Sequence, residues 1–167
     1  MKHIFALALA LVAGCALAEI PGSYAPIVLR ANPDSATERV YDLGPAFQIA
    51  RQQKRAVLIY VGAADCPPCQ AYTRFLTERE REMRPVLNRV VLVDVRTSIR
   101  GPRPTFLLDG RKFSTLEFKG FMGNSDTGLA YPTLWLVNAE GRQIRPLPRG
   151  VEHFLDVDRY REWLAGL

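Results

Sequence analysis

Residues 55–72 read R-A-V-L-I-Y-V-G-A-A-D-C-P-P-C-Q-A-Y, and the fold turns on this stretch. Ala56 to Val61 is an apolar, β-rich run of strand length and predicts a buried strand. Gly62 to Asp65 turn the chain, and Cys66-Pro67-Pro68-Cys69 opens a helix. Two thiols spaced C-x-x-C where a strand runs into a helix make a redox motif. Cys66 falls at the helix N-terminus, where unpaired N–H groups and the helix dipole favour a thiolate. Cys69 follows three residues later, close enough to attack a mixed disulfide formed at Cys66. Half of a zinc site and an inert bridge are the competing readings of such a pair. Zinc wants four ligands, and the chain has no second C-x-x-C and only His3 and His153.

This stretch resembles the active site of the thioredoxin superfamily. Tyr131-Pro132-Thr133-Leu134-Trp135-Leu136-Val137 resembles that family's cis-proline segment and the strand after it, and the turn Asn138-Ala139-Glu140-Gly141 follows in the expected order. The resemblance covers about Leu43 to Leu167. It implies an α/β, thioredoxin-like three-layer sandwich with a central mixed sheet of four or five strands. It implies an exported bacterial thiol:disulfide oxidoreductase that uses no cofactor and no metal. Cys66 is expected to be the nucleophile, because the first cysteine of such a helix is exposed and the second covered, and Cys69 resolves the mixed disulfide. Pro132 has no N–H, so the chain before it can offer backbone groups to a bound peptide; a cis bond is expected there. Tyr131 stands where the family usually carries a smaller or β-branched residue, which narrows the substrate side. The family's buried carboxylate is missing, since the nearest matching position is Tyr60.

Three neighbours tune the pair. Pro67 and Pro68 remove two N–H donors from the first turn, leaving that of Cys69 for a Cys66 thiolate. Asp65 places a negative charge beside Cys66, where the family often has an aromatic residue. Both effects disfavour the thiolate, so a reductant or isomerase role is expected rather than that of a primary oxidase. The implied partners are protein thiols or disulfides and a membrane electron donor. Two other functions fit the same features: a thioredoxin-like reductant for cytochrome c maturation or a copper site, and a non-catalytic binding lipoprotein with a structural disulfide.

Residues 1–18 read as a signal peptide, with one Lys, an apolar run from Ile4 to Ala13 and then small residues. The run is too short to span a bilayer. Ala16-Leu17-Ala18 fits ordinary cleavage, whereas Val12-Ala13-Gly14-Cys15 resembles a lipobox in which Cys15 is lipidated, and the second reading is favoured. The expected location is the bacterial periplasm, with a lipid anchor at Cys15 as the one membrane attachment. Either way Cys66 and Cys69 are the two cysteines left, so stability must come from the core. The net charge of +5 is spread among interspersed acids and bases, as in Thr77-Glu78-Arg79-Glu80-Arg81-Glu82, and forms no basic block of the kind nucleic acid requires.

Residues 19–42, rich in Pro, Ser, Asn and charges, read as a tether or extended lead-in to a domain over 43–167. Ala46, Phe47, Ile49 and Ala50 predict a first helix ending near Gln53. Tyr72, Phe75 and Leu76 share the inward face of the helix after Cys69, which Pro85 kinks or ends. Arg89 to Val95 predicts a second strand, parallel to the first. Residues 97–130 form an insertion: the breaker Gly101-Pro102-Arg103-Pro104, a hairpin around Asp109-Gly110, an apolar stretch from Phe113 to Met122 and a loop to Gly128. It is either a small apolar patch of its own or a partner-recognition surface. Strands from Thr133 to Val137 and near Gln143 to Leu147 form a hairpin, and Phe154 to Leu167 a closing helix, with His153 as surface or capping residue.

Overall fold

The computed structural model describes residues 19–31, 37–125, 128–146 and 154–167. Cys15 and the rest of residues 1–18, and likewise His153, lie outside them.

Strand β3 (Val57–Ala63) is buried along its whole length, as an apolar run in the middle of a sheet covered on both faces must be. It pairs in parallel with β4 (Val91–Thr97) and antiparallel with β7 (Thr133–Val137). With β1 (Ile27–Arg30) outside β4 and β8 (Gln143–Arg145) outside β7, the order of the five-stranded sheet is β1-β4-β3-β7-β8. A smaller sheet holds β2 (Arg39–Asp42), β5 (Pro104–Leu108) and β6 (Arg111–Ser114). Among the described residues the α-helices are α1 (Gly44–Gln53), α2 (Pro67–Glu78), α3 (Glu80–Leu87), α4 (Thr115–Met122) and α5 (Val157–Trp163). Among the described residues no helix is long and apolar enough to cross a membrane. The mixed sheet with helices on its faces is the thioredoxin-like sandwich.

Alternation along the strands sorts the core into two layers. Leu58, Tyr60, Leu92, Leu134 and Leu136 meet Tyr72, Phe75 and Leu76 of α2, Met83, Val86 and Leu87 of α3, and Tyr160 and Trp163 of α5. Val57, Ile59, Val61, Val93, Val95, Trp135 and Val137 meet Phe47 of α1 and Phe118 and Met122 of α4.

Three sequence expectations change. Residues 19–31 and 37–42 are not a tether: Ile20 is buried, β1 pairs with β4, and β2 pairs with β5. The helix after Cys69 breaks at Arg79 rather than at Pro85, which sits inside α3. The carbonyl of Arg79 accepts the N–H groups of both Glu82 and Met83, and the restart brings Met83, Val86 and Leu87 onto the same core as Phe75. The insertion has no patch of its own, because Phe106 and Phe118 lie 5.6 and 5.7 Å from Trp135 of the central sheet. Asp156 caps the last helix, accepting the N–H groups of Asp158 and Arg159. The Asp109-Gly110 hairpin forms as expected, with φ of 49° and 76° in its two turn residues.

Candidate active site

The end of β3 delivers the chain to the N-terminus of α2. Cys66 is the N-cap, with extended backbone angles, and its sulfur accepts the N–H of Cys69 at 3.3 Å. Pro67 and Pro68 occupy the first two helical positions, where an N–H would have had no helical partner. The Cys69 N–H is therefore the first donor the helix offers. Cys66 and Cys69 are joined in a disulfide across this turn, with Cα atoms 5.2 Å apart. The N–H of Ala63 points at the Cys69 sulfur, 3.5 Å away.

Both cysteines are buried, Cys66 at 1 % and Cys69 at 0 % exposure. The expected contrast between an exposed and a covered cysteine is therefore absent in the disulfide form. Tyr131 packs against the small cluster of Ala63, Cys66 and Cys69, a large ring where a smaller side chain would leave the sulfurs open. The Tyr131–Pro132 bond is cis and leads directly into β7.

Asp65 is exposed, but its carboxylate is engaged. Its Oδ1 accepts the N–H of Ile99 at 2.8 Å and its Oδ2 the hydroxyl of Ser98 at 3.2 Å. The Ile99 N–H, before the others, holds the carboxyl below the usual range, so Asp65 is charged at neutral pH one residue from Cys66. The loop after β4 is gripped from the other side too, by Arg39, which donates to the Thr97 hydroxyl and to the carbonyls of Ser98 and Arg100. Nothing in the sequence marks Arg39 for this role.

Beneath α2, the Tyr60 ring lies across Gly62, where a Cβ would collide with the phenol. The ring stacks on Tyr72 at 5.2 Å, and the Tyr72 hydroxyl shares a 2.8 Å hydrogen bond with that of Tyr160. Burial pushes all three phenols above their ordinary pKa. A buried carboxylate is also present, on the strand next to the one that carries Tyr60. It is Asp94, directly across from Tyr60 on β4. Its Oδ2 accepts the N–H of Ile20 at 3.2 Å and Nε of Arg96 at 2.9 Å, while Oδ1 has no partner among the described residues. Arg96 in turn meets Glu19 at 2.5 Å. Burial raises the Asp94 pKa despite the guanidinium. The one signal for it was an acid inside Val91-Leu92-Val93-Asp94-Val95.

The structure thus gathers Cys66, Cys69 and Tyr131 at one place, with Asp65, Pro67, Pro68 and Pro132 adjoining them in the chain. A family model described as thioredoxin-like matches residues 39–139. Among curated proteins none matches the chain in sequence.

Proposed function

The chain belongs to the thioredoxin-like family, and on that premise we propose that it is an exported thiol:disulfide oxidoreductase that reduces or isomerises disulfides of bacterial envelope proteins. The observation that carries this reading is the Cys69 N–H on the Cys66 sulfur at the helix N-cap. A donor so placed stabilises a thiolate at Cys66, the state that attacks disulfides. In the reduced protein that thiolate attacks one sulfur of a substrate disulfide. The substrate S–S bond breaks, its second sulfur leaves and takes a proton, and a mixed disulfide forms. Cys69, losing its proton, then attacks the Cys66 sulfur and releases the remaining substrate thiol. The substrate has gained two electrons and two protons, and the Cys66–Cys69 bond has formed. A membrane dithiol donor restores the pair; isomerisation needs no net transfer.

The reductive direction is supported by how little holds the thiolate. Pro67 and Pro68 leave a single helix N–H for it, and the charged Asp65 stands beside it. A less stabilised thiolate favours the disulfide form of the protein, which makes it the better reductant. Export is supported by the apolar run Ile4 to Ala13 and the sequence around Cys15. A lipid there would hold the fold close to the bilayer, since buried Ile20 follows only five residues later.

Cys66→Ser is expected to abolish reduction of insulin disulfides, while Cys69→Ala accumulates mixed disulfides with its substrates. Persistent insulin reduction by Cys66→Ser, or faster alkylation of Cys69 than of Cys66 in the reduced protein, overturns the assignment. Apocytochrome or copper-site thiols among the trapped partners would narrow the substrate class.

A further inference from the structure

We infer that the loop from Ser98 to Arg103 is a docking surface for protein substrates that carry an acidic residue near the reacting cysteine. This rests on the thiol–disulfide reading above. The loop leaves the sheet beside the site, because Thr97, the last residue of β4, is in register with Ala63, and its carbonyl accepts the N–H of Ala64. Ile99 is then tied to Asp65, the residue before Cys66.

The loop is held in one shape before any substrate arrives. Asp65 takes the Ile99 N–H and the Ser98 hydroxyl, and that hydroxyl oxygen accepts the Arg100 N–H at 3.1 Å. Arg39 holds the carbonyls of Ser98 at 3.0 Å and Arg100 at 2.7 Å. At Gly101 φ is 114°, and a Cβ would strike the Arg39 guanidinium. A surface fixed in this way loses little conformational entropy on binding.

What it presents is an apolar side chain flanked by cations. Ile99 is 51 % exposed, one of few large apolar side chains so open. Arg100 and Arg103 are exposed, and neither guanidinium makes a hydrogen bond or ion pair with a described residue. Arg103 lies close enough to Tyr131, which covers the cysteines, to act on its hydroxyl electrostatically. The two charges next to them, Asp65 and Arg39, both hold this loop and are of opposite sign, so they offset one another at the rim. The unpaired charge at the rim is thus positive. Screening reaches about 8 Å at physiological salt, roughly two to three residues of an extended chain at about 3.3 Å each. An acidic side chain two or three residues from a substrate cysteine falls in that range once the cysteine meets Cys66.

The test uses the purified, exported protein and three disulfides. Two are peptides of one sequence with Glu or Lys two residues from the cysteine, and the third is neutral 2-hydroxyethyl disulfide. The unmutated protein is expected to reduce the Glu peptide about tenfold faster in kcat/KM than the Lys peptide at low salt, with the preference lost in 1 M salt. Arg100→Glu with Arg103→Glu is expected to invert the preference and leave 2-hydroxyethyl disulfide unchanged. Ile99→Ser is expected to raise KM for both peptides alone. Equal rates for the two peptides in the unmutated protein, or an equal loss on all three disulfides in the double variant, overturn the docking assignment. Failure of the unmutated protein to reduce any of the three overturns the oxidoreductase reading itself.

Discussion

Removing Arg96 should destabilise the protein in a way that depends on pH. Asp94 is fully buried, and its Oδ2 is held by Nε of Arg96 at 2.9 Å and by the N–H of Ile20, with Oδ1 unpartnered. Taking one partner from a buried ion pair costs roughly 3–5 kcal/mol. Arg96 is 16 % exposed and shared with Glu19, so the lower end applies, and Arg96→Met should lose about 3 kcal/mol at pH 7. For a chain of this length that is a fall in Tm of about 6–12 °C. The sign with pH follows from burial. The Asp94 pKa is raised in the folded protein, above an unfolded value of about 3.9. Folded protein then binds the proton more tightly, so stability falls as pH climbs from about 4 through the folded-state pKa. Without Arg96 that pKa rises further, and the deficit should shrink as the pH is lowered and Asp94 takes up its proton. Glu19, Tyr60 and Tyr72 are the other titratable groups facing it, and the phenols stay neutral throughout. Urea denaturation of the disulfide form at pH 4 and pH 7 measures both numbers. Asp94→Asn combined with Arg96→Met should recover most of the loss and flatten its pH dependence. An equal loss at both pH values would show that Arg96 contributes by packing and refute the charge argument.

Tyr131→Ala should uncover the sulfurs, so that dithiothreitol reduces the Cys66–Cys69 bond faster, at a cost of about 2 kcal/mol for a half-buried ring; an unchanged reduction rate would contradict the shielding. Gly62→Ala should cost roughly 1–3 kcal/mol by forcing the Tyr60 ring aside, and much less in a Tyr60→Leu background, as denaturant titration of the four proteins would show. Ser114→Ala removes the capping box with Glu117 at the start of α4 and should cost about 1 kcal/mol in the same assay. Cys15→Ser should release the protein from the membrane fraction, and an unmodified mature N-terminus at Glu19 would refute lipidation.

The strand, turn and helix around Cys66 were legible because each depends on neighbours in sequence: an apolar run, a Gly, then prolines fit for a first helical turn. The Asp109-Gly110 hairpin and Pro132 were legible for the same reason. What escaped depends on distant residues. Strand β1 is four residues at a sheet edge, and only its pairing with β4 distinguishes Ile27-Val28-Leu29 from an extended lead-in. Asp94 reads as a break in an apolar strand until Ile20, 74 residues away, supplies an N–H. Cys66 should be open by its place at a helix start, yet Tyr131, far along the sequence, packs over it. Arg39 shows no local signal, because what it grips is a turn of backbone 58 to 61 residues later.

The apolar part of the stretch 97–130 joins the main core, while the turn that enters the stretch faces outward. Inward, Phe106 and Phe118 pack on each other and on Trp135, with Phe113 edge-on to Phe118, which fixes the strand that begins just after Pro132. Lys119, itself buried, donates to the carbonyl of Gly128 and ties down the approach to Tyr131. Outward, the turn that enters this stretch carries Ile99 and Arg100 past Asp65. The apolar half therefore sets the position of Tyr131 and Pro132, and the polar turn sets which side chains stand beside them. Core substitutions such as Phe118→Ala should consequently change the access to Cys66 as well as stability, whereas substitutions at Ile99 or Arg100 should change substrate choice and leave stability alone.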